Sequence, residues 1–311
     1  MSTMDRMVVG VDFTPSSEAA VAWAARHFAP GAELMLVHVM EMPEPPGFLR
    51  EPFPEVETLV DEREAEAARR LEALAASITG ARVTTRVVRG RAAEQLLAAA
   101  RDAHAGLVVV GPHAGERGGV WARLGSTAEA LVRASSVPVL VARGRLDRAP
   151  RHLLVAVDYD EVAEEVLRWA SRLARQFDAS VTAVHVMSNA VLSHVLSLEA
   201  VKTGKKHFTD DEIRARFRDE AEQWMDRVMA AAIDRDRTQT TIEFGDAAAT
   251  IVGAATRGDS DLIVLGRRGK RPLRRLLLGG VVREILRTAP CPVLVVVEPG
   301  SEADQAGPPD Q

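Results

Sequence analysis

The sequence predicts an α/β protein built from two repeated doubly wound domains, each with a five-stranded parallel sheet and helices on both faces. Three observations lead to this fold class. Short apolar runs alternate with amphipathic helical segments along the chain, a pattern typical of parallel sheets covered by helices. The same signals return in the same order about 150 residues later, and a repeat of that length indicates a duplicated domain. The chain has 311 residues, enough for two domains of ordinary size.

The first half contains five short apolar runs that are predicted to be strands. They cover residues 7–11, 34–39, 82–88, 106–110 and 137–141. The segments between them carry apolar residues at helical spacing, such as Ala20, Trp23 and Ala24 after the first strand. Ser16 or Ser17 is predicted to cap this first helix, because a serine hydroxyl accepts a hydrogen bond from an early helical N–H group.

The second half repeats these landmarks. A strand ends at Asp158 as the first strand ends at Asp12, and a Val-His-Val sequence centred on His185 matches one centred on His38. The predicted boundaries are a first domain at residues 1–143, a linker at 144–150, a second domain at 151–298 and a disordered tail at 299–311. The tail is rich in Gly, Pro and acidic residues, a composition that disfavours a packed core.

A glycine-containing loop follows the fourth strand of the second half. Gly266, Gly269, Gly279 and Gly280 form the pattern Gly-x2-Gly-x9-Gly-Gly, and Val281 follows. Glycines let the backbone approach a ligand closely. The last two glycines open a helix, whose first N–H groups and positive dipole attract an anion.

The first half carries the same loop in a different form. Gly111, Gly115, Gly125 and Ser126 form the pattern Gly-x3-Gly-x9-Gly-Ser, and Thr127 follows. The first copy therefore has one extra residue before its second glycine, and the second copy lacks the hydroxyl that the first copy has.

These motifs, in this order and written twice, resemble the universal stress protein family over nearly the whole chain, from Asp5 to Val297. The usual family loop has the regular spacing of the second copy and ends in Gly followed by Ser or Thr, so each copy departs from it at a different place. The resemblance implies two five-stranded domains of the adenine-nucleotide-binding type. It implies ATP, with Mg²⁺, as the ligand, although some members of the family bind none.

The resemblance also implies which residues meet the nucleotide. Adenine and ribose would contact Asp12 and Val39 in the first domain, or Asp158 and Val186 in the second. The phosphates would lie on Gly111, Gly115, Gly125, Ser126 and Thr127, or on Gly266, Gly269, Gly279, Gly280 and Val281. A carboxylate at a strand end accepts hydrogen bonds from ribose hydroxyls. Taken alone, each aspartate is better explained as a strand terminator or helix cap, by roughly two to one. Each recurs with its own glycine loop, which favours contact with the ligand.

Composition excludes several classes of protein. The net charge of −5 gives no general attraction to nucleic acid or to an anionic membrane. A lone cysteine, Cys291, excludes an internal disulfide and fits a reducing compartment. Residues 1–7 lack the apolar core of a signal peptide, and no apolar run approaches the roughly 18 residues that span a bilayer. We therefore expect a cytoplasmic protein.

Two further groups of residues have competing interpretations. His38 and His185 lie in apolar strands, so satisfied core histidines are favoured over metal ligands or bases. A basic cluster in the second loop could attract a polyphosphate or form a solvated face; it comprises Arg267, Arg268, Lys270, Arg271, Arg274 and Arg275. An RNA-binding patch is disfavoured because aromatic residues make up only 4% of the chain.

The predicted function is that of an ATP-binding regulatory or signalling protein with little or no catalysis. No nucleophile–base pair or catalytic carboxylate pair emerges from the spacing, and there is no Gly-x4-Gly-Lys-Ser/Thr loop. Two alternatives remain: an interaction protein with degenerate, nucleotide-free sites, and a slow ATP hydrolase. The two halves are expected to pair as an intrachain pseudo-dimer, because short apolar strands at sheet edges invite pairing. A homodimer and a signalling partner of unknown identity are further possibilities.

Overall fold

The structure is a computed structural model of the chain, and it describes residues 4–28, 31–41, 54–112, 125–189, 209–232, 237–267 and 278–298. The chain divides into two compact units, Met1–Arg148 and Ala149–Gln311. The indole Nε1 of Trp23 donates a hydrogen bond to the carbonyl oxygen of Arg148 at 2.8 Å. This bond ties the end of the first unit to a helix of the same unit.

The first unit alternates strands and helices. Its elements are β1 (Arg6–Gly10), α1 (Pro15–His27), β2 (Glu33–Met40), α2 (Pro54–Ala76), β3 (Arg82–Arg89), α3 (Ala92–Asp102), β4 (Leu107–Val110), α4 (Ser126–Ala134) and β5 (Val139–Val141). The strands pair in parallel in the order β3-β2-β1-β4-β5. Strands β4 and β5 are buried at every residue, which explains why their sequences are continuous apolar runs.

The second unit repeats this architecture. Its elements are β6 (His152–Ala156), α5 (Ala163–Phe177), β7 (Ser180–Met187), α6 (Asp210–Ala232), β8 (Thr238–Phe244), α7 (Ala247–Arg257), β9 (Leu262–Arg267), α8 (Gly280–Thr288) and β10 (Val293–Val297). The parallel order is β8-β7-β6-β9-β10. The fold class predicted from the sequence is therefore confirmed.

The strand order determines which helices cover which face. Parallel crossovers are right-handed, so the helices that follow the first two strands of a unit lie on one face and the next two lie on the other. In agreement, α3 packs beside α4, α5 beside α6 and α7 beside α8. The order reverses between β1 and β4, and between β6 and β9. The carboxyl ends of those strands are where doubly wound folds bind ligands.

The cap of the first helix differs from the prediction. Thr14, rather than Ser16 or Ser17, is the N-cap of α1, and its side-chain oxygen accepts a hydrogen bond from the backbone N–H of Ser17. Pro15 occupies the first helical turn, where its missing N–H costs nothing. Ser17 lies inside the helix, where it is buried. In the described part of the chain, no helix is long and apolar enough to cross a membrane.

Candidate functional site

The second unit contains a pocket of about 400 Å³ at the carboxyl ends of β6 and β9. This volume lies within the range of roughly 300 to 1,000 Å³ that is typical of small-molecule sites. Strand ends, the start of α5 and the N-terminus of α8 form its walls. The pocket brings together six residues that the sequence predicted for the second site: Asp158, Val186, Gly266, Gly279, Gly280 and Val281.

His185 lines the pocket and is held in place by a hydrogen bond to the main chain. Its Nδ1 lies 2.9 Å from the carbonyl oxygen of Val157, and because a carbonyl can only accept, Nδ1 donates. Burial lowers the pKa of His185, although this hydrogen bond acts in the opposite direction. His38 makes the equivalent bond to Val11 at 2.7 Å. Both histidines are thus satisfied by a main-chain carbonyl, as predicted; His185 is buried, whereas His38 is partly exposed.

The loop after β6 forms one side of the pocket. Asp158 Oδ1 accepts a hydrogen bond from the backbone N–H of Tyr159 at 2.8 Å. Asp160 Oδ1 accepts one from the N–H of Val162 at 3.1 Å. Burial raises the pKa of Asp160, and the hydrogen bonds from the backbone of α5 oppose that effect. The loop therefore places two carboxyl groups beside the pocket.

An aromatic stack supports this loop from outside. The ring of Tyr159 stacks on Trp224 of α6, with centroids 3.8 Å apart and planes inclined by 26°. The same tyrosine meets the ring of His185 edge-on at 5.1 Å. Offset-stacked and edge-on arrangements are those that aromatic pairs prefer. The stack joins α6 to the strand-end loop.

The opposite end of the pocket offers donors and positive charge. Gly279 is the N-cap of α8 and Gly280 its first residue, with no side-chain cap hydrogen bond. A Cβ placed on either glycine would meet nothing within 4 Å, so the approach to the helix N-terminus is open. Arg267 also lines the pocket and is 8% exposed. A helix N-terminus next to a guanidinium is suited to a phosphate or carboxylate group.

The equivalent pocket of the first unit is much smaller, at about 90 Å³. It lies at the same place in the fold, at the ends of β1 and β4. It brings together five residues predicted for the first site: Asp12, Val39, Gly111, Gly125 and Thr127.

Leu96 of α3 narrows the first pocket. A Cβ built on Gly10 would lie only 3.0 Å from Leu96 Cδ1 and 3.2 Å from Val110 Cγ1. Leucine thus packs directly against the bare glycine backbone. In the second unit the residues at the equivalent positions are Ala156 and Ile251. Both of these residues line the larger pocket.

The start of α1 narrows the first pocket further. A Cβ on Gly111 would lie 3.2 Å from the backbone oxygen of Ser16 and from the Cα of Ser17. Ser16 Oγ also donates to the carbonyl oxygen of Pro112 at 3.4 Å. In the second unit, the atoms nearest a Cβ on Gly266 are side-chain atoms of Val162 and Val166, not backbone atoms.

Some predicted residues fall elsewhere. Ser126 is the first residue of α4 and is exposed, but it is not among the residues that line the first pocket. Gly115 and Gly269 lie outside the described residues, as does the basic cluster apart from Arg267. Sequence reasoning missed Tyr159. A signal was present, since an aromatic residue follows the strand-end aspartate in both halves, Phe13 in the first and Tyr159 in the second.

The fold and the two pockets define a class: doubly wound α/β units with a pocket at the switch point of each sheet. A sequence model of the Universal stress protein family matches the chain twice, at residues 3–143 and 150–297. The chain therefore belongs to this family, and it is a tandem member with two family domains.

Individual relatives agree with this assignment. Universal stress protein MJ0531 of Methanocaldococcus jannaschii is 30% identical over 153 residues, which are 49% of this chain and 85% of the relative. Universal stress protein YxiE of Bacillus subtilis is 30% identical over 145 residues, 46% of this chain and 97% of the relative. A universal stress protein structure from Archaeoglobus fulgidus has a TM-score of 0.68 at 18% identity, covering 96% of this chain and 99% of that chain; at that identity it supports the fold alone.

Proposed function

We propose that this protein is a regulatory protein of the stress response that binds ATP, with Mg²⁺, in the pocket of its second unit. One observation carries the proposal: a single pocket of about 400 Å³ joins Asp158 and Val186 at one end to the N-terminus of α8 at the other. A nucleotide has the same two-ended character, with a base and ribose at one end and anionic phosphates at the other.

The base and ribose end is suited to its ligand in shape and chemistry. Much of the wall is apolar, as a planar base requires, with Val157, Val184 and Ile251 among the lining residues. The exposed carboxylate of Asp158 lies at the strand end, where it can accept hydrogen bonds from ribose hydroxyls. Val186 lies near the end of β7, at the rim of the same pocket.

The phosphate end supplies donors without a lysine. The first N–H groups of α8 have no intrahelical acceptors, and the glycines there leave room for a phosphate. Arg267, the last residue of β9, also lines the pocket, and we assign its guanidinium to the phosphates. Mg²⁺ would arrive with the nucleotide: within the described ranges, no group of three or more His, Cys, Asp or Glu residues could hold a metal ion by itself.

We propose little or no turnover, and one bound nucleotide per chain. Phosphoryl transfer needs a residue that positions or activates the attacking group, and in the described pocket His185 uses Nδ1 for Val157 and is buried. The first pocket, at about 90 Å³, is below the range of small-molecule sites. Regulation by nucleotide occupancy, in the cytoplasm, is the role that this arrangement supports best.

The test is the nucleotide that the purified chain retains, identified by mass spectrometry after denaturation, together with calorimetry of ATP binding with Mg²⁺. We expect ATP at a stoichiometry of one per chain. Absence of adenine-nucleotide binding at millimolar concentration would favour the nucleotide-free interaction protein. Rapid, saturable release of phosphate would favour the hydrolase, and two equivalent sites would contradict the proposed inequality of the pockets.

A further inference from the structure

A second concave surface of the second unit adjoins the candidate nucleotide pocket and shares Asp160 and Ala163 with it. It is a groove of about 900 Å³ between α5 and α6. One stripe of side chains on α5 and its entry turn lines the groove; it comprises Glu161, Glu164, Arg168, Ser171, Arg172 and Arg175. Their spacing of three, four or seven residues places them on one face of a helix.

Charge along this stripe changes sign once. Glu161 and Glu164 lie at the amino end, and Arg168, Arg172 and Arg175 lie towards the carboxyl end. The helix dipole favours this polarity within a single helix, so the pattern has a local benefit. That benefit applies mainly to the first and last turns, whereas the stripe continues through the middle of the helix.

The first unit lacks the stripe, although it has the equivalent helix. The positions that correspond to Glu161, Glu164, Arg168 and Arg172 are Pro15, Glu18, Ala22 and Arg26. Two of these four are uncharged. The stripe is therefore a property of the second unit rather than a requirement of the fold.

We propose that this groove is the contact surface for a second copy of the chain, with the two α5 helices antiparallel across a two-fold axis. A two-fold contact is self-complementary, so each surface must match its own reversed copy. Centred on Arg168, the reversed stripe places Glu161 against Arg175 of the other copy, and Glu164 against Arg172. The charged residues of the stripe other than Arg168 therefore pair with opposite sign, and the uncharged Ser171 adds no repulsion.

Arg168, the residue on the two-fold axis, is neutralised by an ion pair within its own helix. Arg168 Nη2 lies 2.5 Å from Glu165 Oε2, and the glutamate side chain is only 14% exposed. Two copies of Arg168 therefore meet as ion pairs rather than as bare charges, which reduces their repulsion. Arg172 is held by a second contact, its guanidinium lying 5.5 Å from the ring centroid of Trp169. The charges of the stripe are thus partly ordered before any copy binds.

The groove also offers apolar surface. Tyr159 is 52% exposed and stacks on Trp224, and both line the groove together with Val228. Exposed aromatic and arginine side chains are the residues that interfaces favour. A peptide of unrelated sequence would have to reproduce the charge reversal by chance, whereas a second copy of the chain supplies it.

The size of the surface predicts a weak contact. One helix face and a groove give less than the roughly 1,600 Å² of a standard interface, so the dimer forms reversibly. Because the complementarity is ionic and solvent-exposed, added salt weakens it.

The experiment is analytical ultracentrifugation of the full chain over about 5 to 500 μM, a range that detects micromolar to sub-millimolar dissociation constants. The variant Arg172→Glu/Arg175→Glu makes the stripe acidic at both ends, and Glu161→Arg/Glu164→Arg makes it basic at both ends. Each is expected to raise the dissociation constant about tenfold or more, because like charges then face each other. An equimolar mixture of the two variants is expected to restore dimers, since every facing pair is again of opposite sign.

The matched control is Arg26→Glu/Arg133→Glu. Both arginines are exposed helix residues of the first unit, and the change in net charge equals that of the first variant. The control should dimerise as the wild type does. Circular dichroism of each variant checks that it is folded, and raised salt tests the wild type without any substitution.

Four results with the wild type and the two stripe variants would overturn the proposal. They are a wild type that stays monomeric throughout the range, a dimer that tolerates both reversals, a mixture of folded variants that stays monomeric, and a dimer that salt strengthens. Loss of the dimer in the control would also overturn it, because net charge rather than the stripe would then be responsible.

Discussion

The two units share a fold and a set of motif residues, yet their pockets measure about 400 and 90 Å³. The residues responsible for the difference lie outside the glycine motifs. Leu96 packs on Gly10 in the first unit, and the equivalent residues of the second unit, Ile251 and Ala156, both line its larger pocket. A duplicated site can therefore keep its recognisable residues while side chains packed behind them, such as Leu96 against Gly10, take up the space for a ligand.

The loops after the first strands differ in a related way. In the first unit, Asp12 Oδ1 accepts hydrogen bonds from Thr14 N at 3.0 Å and Thr14 Oγ1 at 2.6 Å, and α1 begins at the next residue, Pro15. In the second unit, the helix begins only at Ala163, five positions after Asp158. The early helix start brings backbone against the first pocket, and the late start leaves room in the second.

The aromatic residue of each loop is also held differently. The guanidinium of Arg70 lies 4.1 Å from the ring centroid of Phe13, and that ring lies 4.5 Å from the ring of His38. In the second unit Trp224 stacks on Tyr159 instead. The second helix of each unit thus contacts the aromatic residue of the strand-end loop: α2 through the guanidinium of Arg70, and α6 through the indole of Trp224.

Valine substitutions at the two helix-start glycines give the largest expected effect. Gly279 is exposed with open space around it, so Gly279→Val should fold normally while its side chain occupies the phosphate position. We expect ATP binding to weaken by about 100-fold or more, as several charge-assisted hydrogen bonds are lost together. Gly125 is buried, so Gly125→Val should lower thermal stability and leave nucleotide binding nearly unchanged. Calorimetry and thermal melts of both variants test this pair, and the reverse pattern would assign the nucleotide to the first unit.

Removing the cation of the second pocket should have a smaller effect. Arg267→Gln keeps a polar side chain but removes the charge, and the equivalent residue of the first unit is the uncharged Pro112. Hydrogen bonds to charged groups contribute about 1.5–3 kcal/mol, so we expect roughly a 10- to 150-fold loss of ATP affinity. Adenosine, which has no phosphate, serves as the control ligand and should lose little. An equal loss for adenosine would mean that Arg267 supports the pocket rather than the phosphates.

Removing the N-cap of α1 should lower the stability of the first unit alone. Thr14→Ala removes the acceptor for the N–H of Ser17, and loss of an N-cap typically costs about 1 kcal/mol. Ser16→Ala is the control, because its hydroxyl caps no backbone N–H group of the helix. That hydroxyl lies 3.1 Å from Thr14 Oγ1 and 3.4 Å from the carbonyl oxygen of Pro112, and its loss should matter less. Urea denaturation measures both. If Ser16→Ala proved the more damaging change, the link to Pro112 would outweigh the cap.

The sequence predicted the features that depend on local pattern and on order along the chain. The parallel sheets, the duplicated landmarks and the buried His185 belong to this group, because apolar runs and strand ends can be recognised from consecutive residues. The size of each pocket could not be predicted in this way. It depends on the contact between Leu96 and Gly10, which lie far apart in the sequence. It also depends on where α1 begins, and the sequence did not identify Thr14, rather than Ser16 or Ser17, as its N-cap. The ranking of the second site above the first stays a prediction, now supported by pocket volume as well as by loop spacing.

The smallest expected effect concerns Asp160, whose equivalent in the first unit is the uncharged Thr14. Burial raises the pKa of Asp160, and the charge of Glu161 adds to that effect. A carboxyl group with a raised folded-state pKa holds its proton more tightly in the folded state. Its stabilising contribution is therefore present below the unfolded pKa of about 3.9 and is lost as the pH rises through the folded pKa.

Asp160→Asn keeps an oxygen to accept from the N–H of Val162 and removes the charge. We expect the variant to be slightly more stable than the wild type at pH 7, with the advantage disappearing below about pH 4. Urea denaturation at the two pH values measures the difference. An advantage of equal size at both would assign the effect to packing rather than to titration. A variant that is less stable at pH 7 would mean that the ionised carboxylate stabilises the N-terminus of α5 by more than its burial costs, and the sign of the argument would be reversed.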